Sequence, residues 1–305
     1  MKKVVIIGGG IAGLSAGIFA QKNGFESIIL EKHNTLGGEC TGWDRQGYHI
    51  DGCIHWLVGT KEGTPIRRLW ETVGALDGIE IYHPESFLAF EHEGVTVHFY
   101  CDLERLKSSW MEISPEDKDT IEEFCKDIKK LQSFEFPIGK PVDMMNILEK
   151  FKYIASMKDV GPIMQKYGKI SSQEYAKTFK HPALREALAK DQKAYTSEKT
   201  RIGQEVVGAM ETRFPYMKGK LKILDVASPQ TYERYCNAHR GAFMGFWPTI
   251  RGKMMAHTGR IKGLNNIFLS GQWLQPPGGL PVAVVTGKDT IMRLCKKERK
   301  KFISH

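Results

Sequence analysis

The chain has 305 residues, 41% of them hydrophobic, and a formal net charge of +9, a length that allows one large domain or two modest ones with cores that need no staples. Its six cysteines are scattered without Cys-x-x-Cys spacing and no apolar run reaches the length of a membrane span. Those two facts argue against a disulfide framework, a metal centre and a transmembrane helix.

The N-terminus enters a strand at once: Val4 to Ile7 are apolar and β-branched, as a strand buried on both faces requires. This leaves no room for a signal peptide and predicts a cytoplasmic chain with reduced thiols. Gly8, Gly10 and Gly13 follow at the spacing of a dinucleotide-binding turn. The first glycine permits the bend, the second lets the backbone approach a pyrophosphate, and the third allows close packing of helix on strand. A helix from Ile11 to about Asn23 aims its first amides, those of Ile11 and Ala12 among them, at the phosphates. Gly24 ends that helix, Glu26 to Leu30 form the second strand, and Glu31 closes it where a carboxylate accepts hydrogen bonds from a ribose diol. Glu31 would repel a 2′-phosphate, so a cofactor with a free ribose is favoured over NADP; Lys32 beside it joins the candidate cofactor contacts.

A second glycine turn, Gly37-Gly38, comes shortly after the acid, where a nicotinamide domain would continue into a helix. That suits a chain wrapping the extended diphosphate of FAD. Gly47 to Gly59 then alternate aromatic and apolar residues, as a strand facing a ring system would. Cys40 and Cys53 lie near this region, either as packed structural thiols or with one acting as a redox thiol beside the flavin.

In the middle of the chain, Phe87 to Tyr100 read as a hairpin turning at Glu93-Gly94. Ser114 caps a helix that has Pro115 in its first position and runs to about Ser133, with Ile121, Phe124, Ile128 and Leu131 on one face. Met144 to Met164 recur at helical spacing with lysines between them. This stretch packs into a core, or it docks a lipid-soluble substrate or the surface of a bilayer. Ser171 to Phe214 read as nearly continuous helix.

At the C-terminal end, Ile267 to Leu269 form a strand and Gly271 lets it approach a phosphate. Gly278, Gly279 and Pro281 turn the chain, and amides from Leu280 through Val282 to Ala283 open a helix running from Val282 to about Lys296. A helix N-terminus aimed at the pyrimidine end of a flavin stabilises negative charge on the reduced ring.

These two ends resemble the phytoene desaturase, carotenoid isomerase and retinol saturase-like group of FAD-dependent oxidoreductases with the amine-oxidase-type fold. The residues that carry the resemblance are Gly8 to Ala16, Glu31, Leu36-Gly37-Gly38, Asp51-Gly52, Gly271 and Pro277 to Pro281. The similarity runs through Leu188 and resumes near Glu198. It implies an α/β fold: a Rossmann-like FAD-binding domain of the glutathione-reductase type, with a mainly helical cap and a reduced or absent substrate sheet. The cofactor domain is expected over 1–80 and 215–305 and the cap over 81–214. Relatives are longer, and the resemblance implies that a central segment is missing near Ala189 to Asp191.

The implied activity is hydride transfer from a hydrophobic polyene or lipid to FAD. A non-catalytic FAD-binding module stands as the alternative, and an NAD-only dehydrogenase as a third reading. His55, Tyr232, Arg234 and His239 could line a pocket, but none stands out as a general base, and no catalytic residue is assigned. The basic tail, Lys296 to Lys301, suits a helix C-terminus or weak contact with an anionic membrane. No nucleic-acid-reading motif accompanies the charge, so nucleic acid is not an expected partner. Self-association is left open.

Overall fold

In the computed structural model the described residues are 1–40, 42–52, 56–134, 138–189, 199–236, 238–242, 245, 256–276 and 278–304. Cys53, His55, the expected joint at 190–191, Pro277 and most of the glycine-aromatic loop at 241–248 lie outside them. In chain order the elements are β1 (Lys3–Ile7), α1 (Ile11–Lys22), β2 (Glu26–Leu30), β3 (Gly42–Arg45), β4 (Tyr48–Asp51), α2 (Pro65–Thr72), β5 (Ser86–His92), β6 (Val95–Tyr100), α3 (Leu103–Ile113), α4 (Lys118–Gln132), α5 (Ile147–Ser156), α6 (Val160–Tyr167), α7 (Ser172–Ala176), α8 (Pro182–Ala189), α9 (Lys199–Arg213), α10 (Pro229–Cys236), β7 (Arg260–Ile261), β8 (Leu264–Phe268) and α11 (Gly279–Lys297). The chain divides into two compact units, one of Met1–Leu76, Tyr195–Trp247 and Met254–His305, the other of Asp77–Ala194 with Pro248–Lys253.

The first unit is a Rossmann-like nucleotide-binding fold. β1 and β2 pair in parallel from Lys3 opposite Glu26 to Ile7 opposite Leu30, and α1 crosses between them. Small residues let the layers approach: a Cβ placed on Gly17 would meet the Cδ1 of Ile29 at 3.0 Å and that of Ile6 at 3.7 Å. α11 packs along the other side of α1, burying Val284, Ile291 and Cys295 beside Phe19 and Ala20. Ser15 Oγ donates to the Val284 carbonyl at 2.8 Å across that contact. Asn23 closes the end of α1: its amide donates to the carbonyls of Phe19 and Ile303 and accepts from the Ile303 N–H at 2.7 Å, so the C-terminal tail is fastened there.

One expectation is corrected here. β1 is not buried on both faces: strand alternation turns Ile6 toward α1 and leaves Val5 57% and Ile7 90% exposed, with Ile28 and Leu30 of β2 exposed on the same face. Among the described residues this sheet has two strands, because β8 forms a hairpin with β7 and joins no other sheet. The apolar sequence of a doubly covered strand is present, and the second cover is not among the described residues.

The second unit builds its core on the β5–β6 hairpin. Glu93 and Gly94 both take positive φ, 49° and 80°, which gives a two-residue turn whose twist matches the strands. Val97, Leu106, Trp110, Ile121, Phe179 and Leu184 are buried together. Trp110 stacks on Phe124 at 5.4 Å, meets Phe99 and Phe179 edge-on, and donates its indole N–H to the His98 carbonyl at 2.9 Å. The helix expected from Ser114 has a single 3-10 turn, Pro115–Asp117, before α4 begins. Ser114 does not cap it as expected; its hydroxyl donates instead to Asp117 Oδ2 at 2.7 Å. α6 buries Val160 and Ile163, whereas none of the ten residues of α5 is buried. Among the described residues no helix is long and apolar enough to cross a membrane.

Candidate functional site

The glycine turn after β1 is held from three directions. Gly8 N donates to the Leu30 carbonyl at 2.8 Å, which fixes the turn to the end of β2. Glu31 accepts from Gly9 N at 2.5 Å and from His33 N at 2.8 Å. The amides of His33 and Gly9 hold this carboxyl below the usual range, so Glu31 is an anion at neutral pH. Gly37 N donates to the Gly9 carbonyl at 2.9 Å, and Gly10 forms a single parallel bridge with Gly37. The two glycine turns therefore lie directly against one another.

From the second turn the site reaches the far end of the chain. Gln272 Nε2 donates to Glu39 at 2.7 Å, and Gln272 Oε1 accepts from Gly279 N at 2.9 Å. One amide thus joins the Gly37-Gly38 turn to the first residue of α11. Gly271 is fixed beside it, its N–H donating to Thr286 Oγ1 at 3.0 Å. Cys236 Sγ lies 3.7 Å from the Gly38 carbonyl, and Tyr232 donates its hydroxyl to the Gly52 carbonyl at 3.1 Å, which ties α10 to the same wall.

Two helix N-termini open on this region. α1 is preceded by Gly10 and α11 by Gly278, neither of which offers a capping side chain, and neither helix has an acid in its first turn. Such first turns present amide hydrogens and partial positive charge to an anion, save that the Gly279 N–H of α11 is taken by Gln272. α11 starts at Gly279, three residues earlier than expected, so Leu280, Pro281 and Val282 lie inside its first turn or just beyond it. Pro281 is tolerated because first-turn amides lack an intrahelical acceptor. A Cβ built on Gly8 or Gly271 meets nothing within 4 Å, and one on Gly10 meets only the Gly38 Cα, at 3.9 Å. The space over the turn is open, as a cradle for a pyrophosphate requires.

Of the expected site residues, Gly8, Gly10, Ile11, Ala12, Gly13, Glu31, Gly37, Gly38, Gly271, Gly279, Leu280, Pro281 and Val282 all fall in this unit, and Lys32 is exposed beside Glu31. Arg234 instead lines a separate cleft of about 240 Å³ with Trp43, Arg45, Asp225 and Thr231, and His239 is exposed in a short 3-10 turn. Glu39, Gln272 and Thr286 were not evident from sequence; their only signal is position, directly after Gly38, directly after Gly271, and about two helical turns into α11.

Burial pushes the Glu39 carboxyl up to about 7, against a smaller opposing effect of the Gln272 hydrogen bond. A carboxyl raised in the folded state contributes stability that is complete below its unfolded value of 4.5 and is lost as pH rises through about 7. The melting temperature is therefore expected to decline between those two values. Glu39→Gln, which keeps an acceptor for Gln272, should flatten that decline in melts recorded across the range. An unchanged slope would exclude Glu39 as its source.

Residues 6–73 match the family described as NAD(P)-binding Rossmann-like domain. The chain is similar to all-trans-retinol 13,14-reductase of Homo sapiens, 24% identical over 195 residues that make up 59% of this chain and 32% of the relative. It is also similar to a 1-hydroxycarotenoid 3,4-desaturase of a Flavobacterium species, 27% identical over 42% of this chain and 26% of the relative. A neurosporene-forming phytoene desaturase of Rhodobacter capsulatus is 24% identical over 60% of this chain and 36% of the relative. The resemblance to retinol saturase-like and carotenoid desaturase-like oxidoreductases read from the motifs is borne out. The matched part of the chain spans about a third of the length of these curated relatives.

Proposed function

We propose that the chain is an FAD-binding oxidoreductase of the carotenoid and retinoid desaturase-isomerase type, with a hydrophobic polyene or related lipid as substrate. The observation that carries this reading is the link from the Gly37-Gly38 turn through Glu39 and Gln272 to Gly279, which brings the two glycine-rich ends of the chain to one site. In this reading the amides of Ile11, Ala12 and Gly13 hold the pyrophosphate, with Gly8 and Gly10 leaving room for it. Glu31 accepts from the ribose hydroxyls, exchanging its bond to Gly9 for them, and as an anion it disfavours a 2′-phosphate. The first turn of α11 faces the flavin, where Gly279, Leu280, Pro281 and Val282 supply backbone and dipole and no titrating side chain. Bound FAD would supply the hydride acceptor, a chemistry that no protein side chain offers.

A second reading, a cofactor module without catalytic activity, draws on a specific observation: the exposed Val5, Ile7, Ile28 and Leu30 face of the sheet. Both readings require FAD. The purified chain, incubated with FAD and desalted, is expected to keep the flavin absorption bands. A colourless protein that binds NAD would overturn both and leave an NAD-only dehydrogenase. Anaerobic mixing of the loaded chain with a carotene or a polyene alcohol separates the first two, since bleaching of the flavin at a catalytic rate requires an enzyme.

A further inference from the structure

Apart from the glycine turns, the first unit holds a cleft of about 240 Å³ between β3 and the start of α10. Trp43 and Arg45, two positions apart, line it from the same face of β3. Thr231 and Arg234, three positions apart, line it from one side of α10. The β3–β4 turn fixes the strand: Gln46 and Gly47 both take positive φ, 52° and 83°, between the paired Arg45 and Tyr48. Ser228 N donates to Thr231 Oγ1 at 3.0 Å, which fastens the first turn of the helix. Asp225 locks the strand side chains. Its Oδ2 accepts from Arg45 Nη2 at 3.0 Å and from Trp43 Nε1 at 3.3 Å, while Oδ1 accepts from Val226 N at 2.8 Å. The bond from Arg45 holds this carboxyl below its ordinary range, so Asp225 is an anion at neutral pH.

Charge and shape together select an occupant. Among the lining residues two guanidiniums stand against one carboxylate, an excess of one positive charge. The pair with Asp225 engages Arg45 through Nη2, and a guanidinium carries five N–H groups in a planar fork that matches a carboxylate. Trp43, half-buried and anchored through its own N–H, gives the cleft an aromatic wall on which a flat body can lie. The volume is below the about 300–1,000 Å³ of sites that take drug-sized ligands, so the occupant is small. A phosphate monoester brings about two negative charges and would leave one uncompensated beside Asp225. We infer that this cleft binds a small planar carboxylate, its anionic group held by Arg45 and Arg234 and its flat body against Trp43. The inference uses no residue of the glycine turns. It does not rest on the cofactor reading, and its test does not involve flavin.

The test is a titration of the full chain with benzoate, followed by ligand-observed NMR, beside the uncharged isostere benzamide and inorganic phosphate. Benzoate is expected to bind with a Kd of about 1 mM, weakening with salt, and benzamide and phosphate about tenfold or more less tightly. Arg234→Gln and Arg45→Gln should each weaken benzoate about tenfold or more. Both side chains are exposed, so each variant should keep the parent's circular dichroism, and Arg234→Gln its melting temperature as well. The comparison of the three ligands is made on the parent and needs no variant to fold. Failure of benzoate to bind at tens of millimolar would overturn the inference, as would benzamide or phosphate binding as tightly as benzoate. So would folded Arg234→Gln and Arg45→Gln chains that bind benzoate like the parent.

Discussion

A Gly13→Ala chain is expected to lose both the proposed FAD binding and part of its stability, because the added methyl group has no space to occupy. Its Cβ would lie 2.0 Å from the Gly8 carbonyl oxygen and 3.2 Å from Ile6 Cγ2. The oxygen cannot withdraw cheaply, since Gly8 is fixed through its own N–H to the Leu30 carbonyl and holds a φ of +106° that few other residues adopt. Relief must come from moving α1 off β1, which disrupts the packing between Gly17 and Ile29 and re-aims the first-turn amides. Overpacking of this kind costs about 1–3 kcal/mol, and the misaligned turn should weaken flavin retention about 100-fold or more. Gly10→Ala supplies the contrast. Its Cβ meets only Gly38 Cα, at 3.9 Å, so that chain should melt like the parent and yet bind FAD poorly, the methyl group standing where the proposed pyrophosphate would lie. Thermal melts paired with flavin retention after desalting distinguish the two. A Gly13→Ala chain that melts normally and stays yellow would remove the glycine turn from the proposed site.

The contrast also marks what the sequence could reveal. β1, α1 and β2 were legible almost to the residue, because spacing, strand composition and a terminating glycine are local signals. The β5–β6 hairpin was legible for the same reason, through alternation around Glu93-Gly94. What sequence could not supply was set by partners far along the chain. Glu39 and Gln272 are 233 positions apart, and nothing in either neighbourhood predicts their bond. The apolar run of β1 implied two covers, but a strand's composition records the environment its fold family provides, and here one face is exposed. Ser114 carried every local mark of a helix cap. It was diverted because a buried carboxylate three residues later makes a stronger demand on its hydroxyl. The same competition underlies the largest effect expected in the second unit.

Asp117→Ala should destabilise the second unit by about 3 kcal/mol or more, the largest loss expected there from a single polar side chain. Asp117 is 2% exposed and its carboxylate gathers donors from three places. Oδ1 accepts from Lys180 N at 2.8 Å, Oδ2 from His181 N at 3.0 Å, and Ser114 Oγ donates to Oδ2 at 2.7 Å. The amides belong to the segment that leads into α8, more than sixty residues away, so this one group fastens the start of α8 to the junction between α3 and α4. Burial alone would raise the carboxyl. The hydrogen bonds from His181 N, Ser114 Oγ and Lys180 N outweigh it, and the group titrates below its ordinary 3.8. The sign follows: a depressed folded value contributes stability that is present above pH 3.8 and disappears as pH falls through the lower folded value. Asp117→Asn keeps one acceptor but turns an amide toward donors, so it should lose about 2 kcal/mol at neutral pH and show a flatter acid transition. Urea unfolding at neutral pH, followed by acid titration monitored by circular dichroism, measures both. If Asp117→Ala unfolds at the parent's urea midpoint, the three donors must be satisfied by water, and the carboxylate would not be what holds α8 in place.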